Sequence, residues 1–232
     1  MIQKITVNPN TKASEILFFQ EADLTKLPDP RIVMLFGPNG AGKSTLIEEI
    51  IACGSKNQPG IHLTHTDTPM HIYSYENATD NFKNRKERSY IEAFNPFFLS
   101  GRMDAHQISE GQSILYSVLD LFDGMKPGKG MFQSEGETLV LFDEIDSGLS
   151  IDNIDMLMRK IKYVLRKRQD LQIIMSFNSP RVLRYFPNVI SMYDGSVLYL
   201  KTDEDMLAEI RRHKKEFDKA RKLSNGRPKV YR

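Results

Sequence analysis

Apolar residues along the chain fall into short runs that predict buried strands and one early helix. The run RIVMLF at Arg31–Phe36 is mostly apolar and contains β-branched residues, which is typical of a strand buried on both faces. After Thr45, apolar residues recur at helical spacing until Gly54, where the glycine favours a helix end. Leu139–Phe142 predicts a second buried strand, and His71–Phe82 alternates like a strand before it turns polar.

A glycine-rich loop joins the first of these strands to the helix. Its sequence, GPNGAGKST, fits the phosphate-binding pattern G-x-x-x-x-G-K-[ST]. In that pattern backbone N–H groups surround the phosphates, Lys43 reaches the β- and γ-phosphates, and the Ser44 hydroxyl binds Mg²⁺. The strand before the loop and the helix after it disfavour the alternative, a chance glycine turn. The predicted nucleotide-binding residues are Gly37, Pro38, Asn39, Gly40, Ala41, Gly42, Lys43, Ser44 and Thr45.

Two adjacent carboxylates, Asp143 and Glu144, follow the second predicted strand. One carboxylate can hold Mg²⁺ and its waters, and the other can polarise an attacking water as a general base. The alternative is an exposed acidic turn after a strand. The phosphate-binding loop upstream favours the catalytic interpretation, with Asp143 as a metal ligand and Glu144 as the base.

In this order the motifs resemble those of the ABC class of ATPases. Asp143-Glu144 matches the Walker B end of that class, and IDSGLS at Ile145–Ser150 resembles the D-loop after it. The segment ISEGQ at Ile108–Gln112 resembles the signature motif usually written LSGGQ. Further on, QIIMSFNSP at Gln172–Pro180 occupies the place of the strand and switch loop, with Asn178 where a histidine is usual.

The opening of the chain narrows the resemblance to one branch of the class. A strand, an edge strand and GPNGAGKST resemble the start of RecF-like and SMC-like proteins, and of small stand-alone ATPases labelled "AAA family". This resemblance implies an α/β P-loop fold, with a mixed or parallel sheet flanked by helices and a small helical insert. It covers an ATPase domain at 1–205, with a variable insert at 60–107, and leaves a basic helix or tail at 206–232.

The resemblance also implies a homodimer in which each ATP lies between two subunits. The signature residues Ser109, Gly111 and Gln112 of one chain would contact the nucleotide that the partner's loop holds. ATP and Mg²⁺ are the implied cofactors, and ATP hydrolysis to ADP and phosphate is the implied reaction. Glu144 and Lys43 would then serve catalysis.

Two positions depart from the family pattern. Asn178 stands for the switch histidine, so it becomes the third implied catalytic residue, and hydrolysis is expected to be slow. In related proteins a glutamine near the end of the strand in the insert senses Mg²⁺ and the attacking water. This chain has no obvious glutamine at that position, and Glu76 or Asn77 is assigned to it.

Charge is distributed unevenly along the chain. The net charge is +2, yet the last segment, Arg211–Arg232, holds ten Lys and Arg residues and two acidic ones, for a net charge of +8. Such a segment can bind nucleic-acid phosphates, or it can be a solvated helix with a frayed end. A protein partner is also expected, since the variable insert is where this class usually meets its partners.

Composition is that of a single domain with one sizeable core, at 232 residues and 40% hydrophobic content. No apolar run approaches the roughly twenty residues that span a bilayer, and the N-terminus lacks a hydrophobic signal core. We therefore expect a cytoplasmic protein without membrane insertion. Two other functions remain open: a non-hydrolysing, nucleotide-gated binding module, and the nucleotide-binding subunit of a membrane transporter.

Overall fold

The computed structural model describes residues 1–8, 19–53, 60–76, 110–124 and 136–225. The elements in chain order are β1 (Ile2–Val7), β2 (Glu21–Asp23), β3 (Ile32–Phe36), α1 (Lys43–Ala52), β4 (Ile61–His65), β5 (Met70–Glu76), α2 (Glu110–Gly124), β6 (Glu137–Asp143), α3 (Ile151–Lys167), β7 (Leu171–Ser176), β8 (Asn188–Ser191), β9 (Val197–Tyr199) and α4 (Asp203–Asn225). Short 3₁₀ helices lie at Leu24–Lys26 and Pro180–Arg184.

A central sheet of six strands has the order β5-β6-β7-β3-β8-β9. Its strands are parallel except β9, which pairs antiparallel with β8. Every residue of β3 and β7 is buried, as expected for parallel strands covered on both faces. The strands predicted at Arg31–Phe36 and Leu139–Phe142 are confirmed as β3 and β6, and the latter is longer at both ends.

A smaller antiparallel sheet has the order β2-β1-β4. Its strands β1 and β2 confirm the expected strand and edge strand before the glycine loop. Gln172 joins the small sheet to β7, because its side-chain amide accepts from Ile2 N at 2.7 Å and donates to Ile2 O at 2.9 Å. The same amide also donates to Pro30 O at 2.8 Å, so a fully buried polar side chain satisfies three backbone groups.

Helices cover the central sheet with apolar faces. In α3 the buried residues Ile154, Leu157, Met158, Ile161, Val164 and Leu165 recur at helical spacing. The Ser150 hydroxyl caps this helix by accepting from Asn153 N. Helix α2 packs on β6 through Phe122, whose ring meets Phe142 edge-on with centroids 5.8 Å apart.

The variable insert begins inside the fold. Its first part, residues 60–76, forms β4 of the small sheet and β5 of the central sheet, which confirms the strand predicted from His71 onward. The rest of the insert, including its basic cluster at 83–88, lies outside the described residues. The basic terminal segment is helical through Asn225, in α4. None of the described helices is both long enough and apolar enough to cross a membrane.

Candidate functional site

Three loops meet at the carboxyl end of the central sheet. The glycine loop follows β3, Asp143 ends β6 with Glu144 directly after it, and the predicted switch segment follows β7. These strands are neighbours in the order β6-β7-β3 and run parallel, so their ends lie side by side at one edge. Ligands of open α/β sheets bind at this edge.

Glycine is required in the loop by its backbone and by its neighbours. Gly40 and Gly42 have φ of 83° and 90°, in the left-handed region that other residues adopt at a cost. Gly42 is also the N-cap of α1, so the loop leads directly into a helix N-terminus. A Cβ on Gly37 would lie 2.9 Å from the Cβ of Met192, so the turn after β8 leaves no room for a side chain. The loop therefore ends at the N-terminus of α1, a positive dipole end that suits an anion.

Lys43 begins α1 and is 5% exposed. Its Nζ donates to Gly37 O at 2.8 Å and to Pro38 O at 3.3 Å, so the ammonium group is turned onto its own loop. Burial lowers the pKa of Lys43, while the nearby carboxylates of Glu144, Asp143 and Asp146 act in the opposite direction. The ammonium group therefore bonds to the glycine loop and interacts electrostatically with the acidic strand end.

Ser176, the last residue of β7, organises the acidic strand end. Its hydroxyl donates to Asp143 Oδ1 at 2.6 Å and accepts from Glu144 N at 2.7 Å. Ser176 is completely buried. The backbone of Glu144 adopts a left-handed φ of 49°, which is uncommon for residues other than glycine. One hydroxyl thus bonds both the carboxylate of the predicted metal ligand Asp143 and the main chain of the predicted base Glu144. Sequence reasoning missed this residue, although it stands two positions before Asn178.

Asp146 holds the switch loop. Its carboxylate accepts from Asn178 N, at 2.9 Å to Oδ2 and 3.2 Å to Oδ1, and from Ser179 N. Asp146 is 5% exposed, whereas Asn178 beyond it is exposed. Within the predicted D-loop, therefore, one side chain turns inward to the switch loop, and Ser147 and Gly148 lie at the surface. The sequence contained the signal, a third acidic residue shortly after Asp143-Glu144, but did not identify its partner.

We expect Asp146→Ala to destabilise the protein, because two backbone N–H groups of the switch loop would lose their acceptor. An unsatisfied donor that is fully buried costs about 1–3 kcal/mol, and these partly buried groups should cost less because water can reach them. Asp146→Asn keeps an acceptor oxygen, so its free energy of unfolding should stay much closer to that of the parent protein. Chemical denaturation of both variants measures the difference, and equal destabilisation in the two would contradict the assigned hydrogen bonds.

The pH dependence of stability supplies a second readout for Asp146. Burial raises its pKa, although hydrogen bonds from Ser179 and Asn178 act in the opposite direction. The folded protein therefore binds this proton more tightly than the unfolded chain. Asp146 favours folding most below its ordinary pKa, and this contribution falls as the pH rises towards the raised value. Asp146→Asn should lack that decline between the two pKa values, when the free energies of unfolding are compared along a pH series.

Of the other predicted site residues, some belong to the part of the chain that the structure describes and some do not. Glu76 ends β5 and pairs in register with Asp143, so its backbone reaches the same sheet edge. Its alternative, Asn77, and the signature residue Ser109 lie outside the described residues. Gly111 and Gln112 are in the first turn of α2, and Gln112 is exposed. The phosphate-loop residues lie between the end of β3 and the first turn of α1: Gly37, Pro38, Asn39, Gly40, Ala41, Gly42, Lys43, Ser44 and Thr45.

Comparison with known proteins rests on structure alone. No protein-family model matches the chain, and no curated protein sequence matches it. The chain is similar to the SMC head domain from Thermotoga maritima, with a TM-score of 0.52, 15% identity, and coverage of 87% of this chain and 99% of that one. It is also similar to a nucleotide-free ATP-binding cassette from an ABC transporter, with a TM-score of 0.51, 13% identity, and coverage of 91% and 96%. The fold is therefore that of the ABC-class P-loop ATPases, as the motifs predicted.

Proposed function

We propose that this chain, which has the ABC-class ATPase fold, binds and hydrolyses Mg-ATP and pairs with a second copy around two nucleotides. The observation that carries the proposal is the meeting of three loops at one sheet edge. There a buried lysine bonds to the glycine loop, within electrostatic reach of the carboxylates Asp143 and Glu144. This arrangement joins an anion cradle to a candidate metal ligand and a candidate base.

Binding would use the backbone and the lysine of the glycine loop. The left-handed backbone at Gly40 and Gly42 would let loop N–H groups surround phosphate oxygens, and Lys43 would exchange its loop carbonyls for the β- and γ-phosphates. The Ser44 hydroxyl and the Asp143 carboxylate are oxygen ligands of the kind that Mg²⁺ prefers. Bound there, Mg²⁺ would neutralise charge on the phosphates.

Hydrolysis would use groups that Ser176 and Asp146 hold in place. Glu144, whose backbone N–H donates to Ser176, would orient the attacking water and accept its proton. Asn178, whose backbone N–H donates to Asp146, would donate its side-chain amide to the γ-phosphate region. Each group is therefore anchored through the main chain, which leaves its side chain available for the substrate.

Dimerisation would use the start of α2. The signature resemblance assigns Ser109 and Gly111 to the nucleotide of the partner, and Gly111 lies in the first turn of a helix, whose N-terminus favours anions. Phe122 anchors this helix on β6. The α2 N-terminus of each copy would thus complete the nucleotide site of the other in a head-to-tail pair.

Nucleotide binding is the first test of the proposal. A ligand that binds only the folded state at about 100 times its Kd stabilises the protein by about 2.7 kcal/mol. We therefore expect Mg-ATP to raise the Tm of the parent protein and to raise that of Lys43→Met much less. Lys26→Met, which removes a well-exposed lysine, is the matched control and should behave like the parent. An unchanged Tm in the parent at millimolar Mg-ATP would remove the nucleotide function.

We further propose that the ATP cycle controls nucleic acid or a protein partner. Support for nucleic acid comes from α4, whose exposed cations are set along a single helix. His213 of α4 stacks on Tyr193 with ring centroids 4.2 Å apart, so the helix is docked on the domain. The exposed cations of α4 are Arg211, Arg212, Lys214, Lys215 and Lys219.

Removal of cations from α4 should weaken DNA or RNA binding and flatten its salt dependence. For duplex DNA the slope becomes shallower by about 0.9 for each phosphate that the protein no longer neutralises. The triple variant Lys214→Gln, Lys215→Gln, Lys219→Gln tests this while keeping the His213 stack that deletion of 211–232 would remove. A second variant, Lys26→Gln with Lys167→Gln, is the control for general charge. Binding that is absent at low salt, or equal in all three proteins, would remove the nucleic-acid role.

The rival functions make different predictions for the same protein. A non-hydrolysing module would bind Mg-ATP and release no phosphate, and the absence of the switch histidine favours this alternative. A transporter subunit would co-purify with an integral membrane protein. Phosphate release by the purified chain would exclude the non-hydrolysing module, and purification without an integral membrane protein would count against the transporter subunit.

A further inference from the structure

A second cleft lies at the opposite edge of the central sheet from the glycine loop. It is lined by Ile32 and Asn188, the first residues of the parallel strands β3 and β8. Its volume is about 350 Å³. The apolar part of its lining comes from the buried side chains of Leu27, Leu165 and Phe186, together with Ile32. The cleft is therefore separate from the proposed ATP site.

Two charged residues in the lining of the cleft, Arg31 and Asp29, form an ion pair with each other. Arg31 donates from Nε to Asp29 Oδ1 at 2.9 Å and from Nη2 to Asp29 Oδ2 at 2.8 Å. Its Nη1 donates to Leu165 O at 2.9 Å and to Gln169 Oε1 at 2.7 Å. The Arg31 guanidinium is thus fixed, and its charge is offset by the adjacent carboxylate.

Two further cations in the lining are not offset in this way. Lys162 and Arg166 lie one turn apart on α3 and both line the cleft. Among the residues that the structure describes, no carboxylate forms an ion pair with either. Lys162 Nζ lies 5.4 Å from the ring centre of Tyr185 and 5.5 Å from that of Phe186. Like charges at this helical spacing repel each other, and an anion between them would offset that repulsion.

We propose that this cleft binds a small organic anion with an apolar body. Its acidic group, a carboxylate or a phosphate ester, would lie between Lys162 and Arg166, and its apolar part would lie against Phe186 and Leu165. Small-molecule sites combine an apolar lining with a few placed polar groups in about 300–1,000 Å³. The volume of this cleft is near the lower end of that range, which favours a free small molecule over a segment of a partner protein.

Fluorescence of the aromatic anion anilinonaphthalene sulfonate tests the proposal with the full chain. Saturable binding is expected, and benzoate and phenyl phosphate should displace the dye. Lys162→Gln and Arg166→Gln should each weaken dye binding by about three- to tenfold, as expected for removal of one partly exposed charge. High salt should weaken binding to the parent protein most.

Lys167→Gln is the matched control for this experiment. Lys167 is on the same helix and its Nζ also faces an aromatic ring, that of Tyr163 at 6.0 Å, but it does not line the cleft. Its variant should bind the dye like the parent protein. Equal affinity in Lys162→Gln, Arg166→Gln and Lys167→Gln, or the absence of saturable binding, would overturn the proposal. A short acidic peptide that displaces the dye at lower concentration than phenyl phosphate would also overturn it, in favour of a protein partner.

Discussion

Glu144→Gln is expected to abolish most ATP turnover and to trap an ATP-bound dimer. Glutamine keeps the size of the side chain but cannot accept the proton of the attacking water, and loss of a general base costs about 10²–10⁴ in rate. Because the backbone N–H of Glu144 donates to Ser176, the substitution should leave the local conformation unchanged. Phosphate release measures the loss, and light scattering with Mg-ATP measures the dimer.

Two further variants sharpen this result. Glu48→Gln removes an exposed carboxylate from α1, so it should turn over ATP like the parent protein and should not accumulate a dimer. Ser109→Arg, added to Glu144→Gln, should dissolve the trapped dimer, since the signature resemblance places a small residue against the γ-phosphate. A Glu144→Gln protein that stays monomeric with Mg-ATP at every protein concentration would contradict the sandwich dimer.

Asn178→His is expected to raise kcat with little change in ATP affinity, and Asn178→Ala to lower kcat further. Asparagine is shorter than histidine and cannot carry positive charge or relay a proton. Loss of one preorganised donor costs about 2.7–4 kcal/mol at an oxyanion site, or about 10²–10³ in rate. Because Asp146 holds the main chain at this position, both substitutions change the side chain on an anchored loop.

Steady-state kinetics of the two Asn178 variants separates kcat from KM. Asn153→Ala, in the first turn of α3, is the control for general effects of losing an amide. If Asn178→Ala hydrolyses ATP as fast as the parent protein, the side chain does not face the nucleotide, and the alignment of the switch loop is wrong.

Short-range patterns were sufficient for the elements and for the nucleotide motif. β3 and β6 were predictable because parallel strands that are buried on both faces are continuously apolar. The glycine loop was predictable because a fixed spacing of glycines, Lys43 and Ser44 between a strand and a helix serves one kind of chemistry. The start of this helix differed from the pattern, because the apolar spacing begins after Thr45 whereas α1 begins at Lys43, inside the motif. Its left-handed N-cap, Gly42, is itself part of the loop.

The roles of Ser176, Asp146 and Gln172 were decided by tertiary structure. Each side chain bonds to a residue distant in the chain: Ser176 to Asp143, Asp146 to Asn178, and Gln172 to Ile2. Such hydrogen bonds follow from which strands are neighbours, and the order β6-β7-β3 is not contained in any local pattern.

The sequence by itself therefore determined the residue types of the proposed ATP site, which depend on local spacing, and its resemblance to the ABC class gave the fold class. The tertiary structure alone decided which side chains bond to the residues of that site and where the second cleft, lined by Lys162 and Arg166, forms. The physical reason is that hydrogen-bond geometry and cavities depend on distances between separate elements, and strand pairing sets those distances.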